Sequence, residues 1–312
     1  MRRGKDGAPP ELKLPGIRNP FGAPVYRRET LGSTMDEARI LAARGAEHGT
    51  VIAADYQTAG RGRGGRSWLM KAGENLSFTV ILRYPGSGIP PCLTLRAGLA
   101  LSLAVEDFAP ALRGKTAVKW PNDLMLMQSG GPGRKAAGIL AEASGGTVYL
   151  GMGINVAQTA FPPGLEDKAV SIAGTLAGLW GNDPPPAGMD AAALGEKRFV
   201  LLEAILLRLR EELEAPGDKT AGSPLSWQGR LEERLYMKGR QVRFIPGAPR
   251  DPEQGDVPGG SPASGEPVEG ILLGTAAGGE ILIAPASGGI VSFAAGELRV
   301  YGNVDPPLVA SG

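Results

Sequence analysis

The spacing of apolar positions changes along the chain and divides it into three parts. Residues 1–26 show no regular period and contain several prolines, which predicts an N-terminal tail. From about residue 31, apolar runs typical of strands alternate with segments that repeat at helical spacing. After Trp227, short β-type runs separated by glycine turns take over. The pattern predicts a mixed α/β domain followed by a smaller all-β unit.

The first domain is predicted over residues 27–220. Thr34 and Glu37 have the spacing of a capping box, which predicts the start of a helix that ends at Gly45. Further helices are predicted at residues 93–108, 171–179 and 191–213. Strands are predicted at residues 50–56, 75–82, 116–120, 136–142 and 148–154. This order of elements indicates an α/β (α+β) fold with a mixed sheet and flanking helices.

The all-β unit is predicted over residues 227–302, where five short β-type runs suggest a small barrel. A stretch rich in proline and glycine, residues 246–267, interrupts these runs and is interpreted as a surface insertion. Residues 216–226 have the composition of a linker between the two domains. Residues 303–312 are predicted to form a second tail.

Composition limits the chemistry open to the 312 residues. Lys+Arg 33 and Asp+Glu 32 give a formal net charge of +1, so any anion-binding site must be local. The single cysteine, Cys92, excludes an intrachain disulfide and a zinc site built from cysteines, and the single histidine, His48, argues against a histidine-based triad. The sequence contains neither an apolar run of membrane-span length nor a signal-peptide core, so we expect a cytoplasmic protein.

The stretch QTAGRGRGGRSW, residues 57–68, is the densest candidate for chemistry, with Arg61, Arg63 and Arg66 separated by glycines. Glycine lets backbone N–H groups approach an anion, and arginine supplies forked donors. The composition therefore suits a phosphate-binding loop that is mobile when empty. Flexible RNA-binding segments share this composition. The position of the loop between two predicted strands favours phosphate binding.

A second candidate joins KWPND, residues 119–123, to RKAAGIL, residues 134–140. Lys119 and Lys135 would place two cations on an acyl phosphate, and Asp123 would orient a lysine or a metal-bound nucleotide. Taken alone, these residues are better explained as an ordinary hairpin with a solvated turn. The context supplied by the other motifs changes that interpretation.

Six motifs occur in a fixed order: Ser33-Thr34, QTAGRGRGGRSW, AGENLSFT, KWPND, RKAAGIL and GMGIN. In this order they resemble the biotin protein ligases, the family that attaches biotin to a lysine of biotin carboxyl carrier proteins. The resemblance runs from about residue 31 to residue 155 and, more weakly, to GELRV at 296–300. It implies a class II synthetase-like sheet with an SH3-like C-terminal barrel, and ATP, biotin and Mg²⁺ as the small molecules used. The implied reaction forms biotinyl-5′-AMP and then transfers biotin to the carrier of acetyl-CoA carboxylase or a related carboxylase.

The resemblance also assigns roles to the matching residues, with metal ligands left unknown. The catalytic residues would be Lys135, Lys119, Asp123 and Arg63. The biotin-binding residues would be Ser33, Thr34, Met35, Gln57, Gly60, Arg61, Gly62, Arg63, Lys135, Gly138 and Gly151. The ATP-binding residues would be Arg63, Arg66, Trp68, Asn122, Lys135 and Asn155.

The chain departs from the family pattern in several places. Met35 stands where a polar residue is common, and residues 128–133 lengthen the connection to Lys135, which makes the position of that lysine harder to predict. The segment before residue 31 is too short for the winged helix-turn-helix of repressor members, so we expect a ligase that binds neither DNA nor a membrane. A homodimer stays an open possibility. The competing functions are a lipoate or octanoate protein ligase of the same fold and a non-catalytic RNA-binding module.

Overall fold

A computed structural model describes residue 14 and residues 16–86, 88–181, 183–214, 226–247 and 265–300. Most of the predicted linker, most of the predicted insertion and the predicted C-terminal tail lie outside the described residues. Among the described helices, none combines the length and the apolar composition that a bilayer crossing requires.

The first sheet has seven described strands in the order β1-β2-β3-β7-β6-β5-β4. In chain order they are β1 (Val25–Leu31), β2 (Val51–Gln57), β3 (Asn75–Arg83), β4 (Thr116–Lys119), β5 (Asp123–Gln128), β6 (Gly131–Ser144) and β7 (Thr147–Asn155). Strands β1 and β2 pair in parallel, and the other neighbours are antiparallel. The mixed sheet expected from the sequence is therefore confirmed.

Helices cover both faces of this sheet, which is why β3 and β7 are buried almost throughout. The helices are α1 (Thr34–Ala43), α2 (Leu93–Phe108), α3 (Ile172–Trp180), α4 (Ala191–Glu196), α5 (Arg198–Glu214) and α6 (Trp227–Glu232). Helix α1 packs on the face that carries Ile52 and Ile81. Helices α2 and α5 pack on the opposite face against Phe78 and Val80. Successive residues of a strand point to opposite faces, so both sets are buried.

Four local expectations need correction. Ser33, not Thr34, caps α1, because its hydroxyl accepts from the backbone N–H of Met35. The Thr34 hydroxyl donates to Gln57 and the Glu37 carboxylate pairs with Arg28, so the capping box does not form. The helix expected over residues 191–213 is divided at Lys197 into α4 and α5.

The other two corrections are strands that the sequence pattern did not reveal. Strand β1 carries a run of charged residues, including Arg27, which pairs with Asp55 of β2 at 2.5 Å. A polar edge strand of this kind lacks the apolar alternation that identifies a strand. Strand β5 follows the KWPND turn directly and pairs with β6 in a hairpin. Part of the lengthened connection at residues 128–133 is therefore hydrogen-bonded strand and not loop.

The second sheet is antiparallel, with the described strand order β11-β10-β9-β8-β12. Its strands are β8 (Gln241–Pro246), β9 (Val268–Thr275), β10 (Ile281–Pro285), β11 (Val291–Phe293) and β12 (Gly296–Val300). Among the described residues no ladder joins β11 to β12, so the sheet is open there and the expected closed barrel is not confirmed.

The two sheets share a hydrophobic core. Leu95, Val118 and Trp120 of the first domain pack with Phe244 and Leu272 of the second sheet. The backbone N–H of Val118 donates to Arg234 at 2.8 Å, and that of Tyr236 donates to Val118 at 2.9 Å. The C-terminal sheet is therefore packed against α2 and β4 of the first domain.

A buried ion pair strengthens the same contact. The Arg234 guanidinium donates to both carboxylate oxygens of Glu106 in α2, at 2.9 and 3.2 Å, and Glu106 also accepts from the Thr116 hydroxyl at 2.6 Å. Removing Arg234 would leave the buried Glu106 carboxylate without its charge partner.

The neighbouring leucines of β9 test how much this shared core contributes to stability. Leu272 is fully buried, whereas Leu273 is 38% exposed on the opposite face. We expect Leu272→Ala to lower the free energy of unfolding by about 2–5 kcal/mol through a cavity. Leu273→Ala should change it by no more than about 0.5 kcal/mol. Urea denaturation measures both, and equal effects would contradict the shared core.

Candidate active site

One cavity of about 1270 Å³ lies where the first sheet meets the C-terminal sheet. All but one of the residues named from the sequence line it. They are Ser33, Thr34, Met35, Gln57, Arg61, Gly62, Arg63, Arg66, Trp68, Lys119, Asn122, Asp123, Lys135, Gly138, Gly151 and Asn155. Motifs that lie more than 100 residues apart in the chain therefore converge on a single site.

Gly60 is the exception, because it does not line the cavity. It is buried beneath the loop, where its carbonyl accepts from the Trp68 backbone N–H at 2.9 Å. A Cβ at this position would lie 2.7 Å from the Trp68 carbonyl oxygen. The glycine allows the two ends of the loop to meet, and its position does not support direct contact with biotin.

One end of the cavity carries a buried network of uncharged polar groups. The Gln57 side-chain oxygen accepts from the Thr34 backbone N–H at 2.8 Å and from the Thr34 hydroxyl at 3.1 Å. The Thr79 hydroxyl donates in turn to Thr34 at 2.9 Å. These contacts fix the orientation of the Gln57 amide, whose side chain lines the cavity and can donate through its NH₂ group.

The middle of the cavity carries three cations, Arg63, Lys119 and Lys135, which we call the cation cluster. Lys119 and Lys135 come from β4 and β6, which flank β5. The Lys135 ammonium lies 2.7 Å from the Asp123 carboxylate. The Arg63 guanidinium donates to the Asn122 side-chain oxygen at 3.1 Å. Strand pairing thus positions two lysines that lie 16 residues apart in sequence.

Charge in the cavity is unbalanced. Its described lining has ten lysine or arginine residues and four aspartate or glutamate residues. Burial lowers the pKa of Lys119 below its ordinary value, although Asp123 and Glu297 act in the opposite direction. Burial likewise lowers the pKa of Arg63. Partly desolvated cations with few counter-charges are stabilised by an incoming anion, so the site is suited to phosphate.

The glycine-arginine loop is held at three points. The Arg61 guanidinium donates to Asp36 of α1 at 2.7 Å, and Arg63 donates to Asn122. Arg66 lies 3.8 Å from Glu297 of the C-terminal sheet. Exposed ion pairs of this kind contribute little to stability. These contacts do not test whether the empty loop is mobile, which stays a prediction.

Trp68 packs against the floor of the cavity. A Cβ at Gly153 would lie 2.3 Å from its ring, and one at Gly138 would lie 3.4 Å away. Gly151 is close to Met35 instead, whose sulfur would lie 2.8 Å from an added Cβ. The glycines of β6 and β7, which have no side chains, thus make room for Trp68 and Met35. The role of Gly153 was not recognised from the sequence, although GMGIN contains it.

The C-terminal sheet contributes Glu297, Leu298 and Arg299 to the lining. Their roles were not predicted, although GELRV at 296–300 carried part of the resemblance. Among the described residues no group of three or more His, Cys, Asp or Glu side chains could hold a metal ion.

Residues 30–158 match the model of the "Biotin/lipoate A/B protein ligase family". This part of the chain is therefore similar to a biotin/lipoate ligase domain. The match ends three residues beyond GMGIN, so it covers every motif that suggested the resemblance except the C-terminal GELRV. The resemblance to biotin protein ligases is confirmed.

Two relatives cover this domain. The bifunctional ligase/repressor BirA of Bacillus subtilis is 37% identical over 163 residues, which are 49% of this chain and 47% of that protein. The biotin--[acetyl-CoA-carboxylase] ligase of Mycobacterium tuberculosis is 38% identical over 144 residues, 45% of this chain and 52% of that protein. The chain therefore spans about half the length of the relatives it matches.

A structural relative extends the likeness to both sheets. The biotin protein ligase from Aquifex aeolicus, solved in complex with biotin and ATP, superposes with a TM-score of 0.61 at 26% identity. The superposition covers 88% of this chain and 97% of the other.

The contact between Trp68 and Gly153 gives a direct test of the cavity floor. Gly153→Ala should displace the Trp68 indole and expose it, which shifts its fluorescence to longer wavelength. Gly32→Ala is the matched control, because a Cβ there would meet no atom within 4 Å. The Trp68 contribution is isolated by subtracting the spectrum of the same protein with Trp68→Phe. An unchanged Trp68 spectrum in Gly153→Ala would contradict this packing.

Proposed function

We propose that the chain activates biotin with ATP and transfers it to a lysine of a biotin carboxyl carrier protein. The observation that carries the proposal is the arrangement of the cavity. Fixed neutral polar groups lie at one end, and the cation cluster lies beside the glycine-arginine loop. A ligand with an uncharged ureido ring, an apolar body and a carboxylate matches this order of groups.

The first step forms biotinyl-5′-AMP. The biotin carboxylate attacks the α-phosphorus of ATP, the bond to the β-phosphate oxygen breaks, and pyrophosphate leaves. Two anions must approach each other, so their repulsion has to be screened before the bond forms. Lys135 would lie between carboxylate and phosphate, while Lys119 and Arg63 would stabilise charge on the phosphorus oxygens. Arg66 would bind the departing pyrophosphate.

The second step transfers biotin to the carrier. The amine of the carrier lysine attacks the acyl carbon, a proton is lost from nitrogen, and AMP leaves with the anhydride oxygen. Asp123, which pairs with Lys135 of the cation cluster, would orient the incoming amine. The loop over the site would limit the access of water to the anhydride. The Mycobacterium tuberculosis relative is a biotin--[acetyl-CoA-carboxylase] ligase, which supports an acetyl-CoA carboxylase carrier as the partner.

Mg²⁺ fits this scheme as part of the MgATP substrate. Magnesium commonly binds through substrate phosphates and one or two carboxylates, and keeps several waters. The described cavity offers such isolated carboxylates and no cluster of metal-binding side chains. Bound Mg²⁺ would neutralise phosphate charge during the first step.

The alternative function is a lipoate or octanoate protein ligase of the same fold. An acyl transferase of this group would need a cysteine nucleophile. Cys92 does not line the cavity. It precedes α2 near the β9–β10 turn, and burial raises the pKa of its thiol. A raised thiol pKa reduces the reactive thiolate fraction. The polar network around Gln57 favours biotin over a purely aliphatic acyl chain.

An RNA-binding function is less well supported, because the arginine loop lies over a deep cavity.

Biotin-dependent exchange of labelled pyrophosphate into ATP tests the proposed function. The purified chain should catalyse exchange with biotin and ATP, and lipoate or octanoate should not replace biotin. Exchange driven by lipoate, or RNA binding without any exchange, would contradict the proposal.

Lys135 and its neighbour Arg134 provide a matched pair of variants. Lys135→Ala removes the cation between the two anions, so exchange should fall by about 10²–10³-fold. Arg134 contacts the Glu166 carbonyl and Asp167 and does not itself line the cavity, so Arg134→Ala should retain near-normal exchange. Circular dichroism of both variants verifies that they are folded. Near-normal exchange in Lys135→Ala would place the phosphate elsewhere.

A further inference from the structure

Trp120 lies in the chain between residues that line the cavity, but its side chain does not line it. Lys119 precedes it, and Asn122 and Asp123 follow it. Only 3% of Trp120 is exposed, because the indole packs in the core shared with the C-terminal sheet. The KWPND turn therefore presents its charged residues to the site and its aromatic residue to the second sheet.

Two contacts fix the indole on the C-terminal sheet. Its ring N–H donates to the Gly279 carbonyl in the β9–β10 turn at 2.9 Å. Its ring centroid lies 5.6 Å from that of Phe244, with the planes inclined by 61°. A buried hydrogen bond together with edge-on aromatic packing restrains both the position and the rotation of a side chain.

The same turn is held from the other side by β6. The Asn122 side-chain NH₂ donates to the Ile139 carbonyl at 2.7 Å, and the Ile139 backbone N–H donates to the Asn122 carbonyl at 2.9 Å. Asn122 also accepts from Arg63. The segment that carries Lys119 is thus clamped between β6 and the C-terminal sheet.

We propose that Trp120 is a positioning residue that transmits the placement of the C-terminal sheet to Lys119 and thereby sets the rate of nucleotide activation. The consequence for activity rests on the proposed function. Trp120 contacts neither substrate. Its loss should slow the first chemical step while leaving biotin binding, which depends on the distant network around Gln57, unchanged.

Trp120→Phe tests this inference because phenylalanine keeps an apolar ring but has no N–H to donate to Gly279. We expect kcat for biotin-dependent exchange to fall at least tenfold, while the Kd for biotin stays within twofold of the wild-type value. A general loss of folding would instead affect both quantities together. Thermal unfolding of the same samples verifies that the variant is folded.

Lys119 itself can be followed without any assay of the proposed function. Competitive amine labelling with acetic anhydride, read by mass spectrometry across pH, reports the titration of this lysine. The charged groups that act on it are Asp123, Glu297, Lys135 and Arg66. In Trp120→Phe a less restrained and more hydrated Lys119 should titrate at higher pH, closer to an ordinary lysine.

Glu212→Gln is the matched control. Glu212 of α5 is buried and accepts from the Arg230 guanidinium of α6 at 2.9 Å, in a second contact toward the C-terminal sheet that does not involve the turn. This variant should lose stability while the kcat for exchange and the Lys119 titration stay at wild-type values.

The outcomes separate the two proposals. If the wild-type chain catalyses no exchange, the proposed function fails, and the Lys119 titration alone decides the role of Trp120. A shifted titration in Trp120→Phe but not in Glu212→Gln supports the inference. An unshifted titration in Trp120→Phe, or equal shifts in both variants, overturns it. With an active wild-type protein, an exchange kcat within twofold of normal in Trp120→Phe also overturns it.

Discussion

The structure depends on keeping several cations together in a partly buried site. Lys119, Lys135 and Arg63 repel one another, and burial lowers the pKa of two of them. The close ion pair between Lys135 and Asp123 offsets part of this cost, and Asp123 and Glu297 also stabilise the charged forms of Lys119 and Arg63. Under the proposed function, an entering phosphate would compensate the cluster further and gain binding energy from it. This is how an enzyme can bring a carboxylate up to a polyphosphate.

Such a cluster needs rigid support, and both sheets provide it. The antiparallel β4, β5 and β6 set the spacing of Lys119, Asp123 and Lys135 through backbone ladders. The shared core and the Glu106–Arg234 pair hold the C-terminal sheet against the same strands. The C-terminal sheet also reaches the site directly, where Glu297 approaches Arg66 of the loop. The two units predicted from the sequence therefore act as parts of one site.

The sequence predicted the buried elements well and the contacts between distant segments poorly. Helix α2 and the apolar strands β3 and β7 were found because burial on both faces leaves continuous apolar runs. Strand β1 was missed because its charged residues hide the alternation. The capping box failed because Gln57, 23 residues away, binds the Thr34 hydroxyl. Local spacing cannot reveal a competing partner of this kind.

The same limit applies to the site. Motif order was sufficient to predict residues that almost all line one cavity, including Lys135 despite its lengthened connection. It could not show that Gly60 lies beneath the loop, that Gly153 is covered by Trp68, or that Trp120 points into a second core. Each of these facts depends on which face of a strand or loop meets another element, and a motif does not record that.

The most direct test of the cation cluster is the structure of this protein crystallised with biotin and ATP. We expect a phosphate of the bound nucleotide or adenylate within hydrogen-bonding distance of Lys135, Lys119 and Arg63, with the ureido ring of biotin at Gln57. A phosphate bound only by Lys168, Arg234 or Lys238 at the other walls of the cavity, with Lys135 still paired to Asp123 alone, would contradict it.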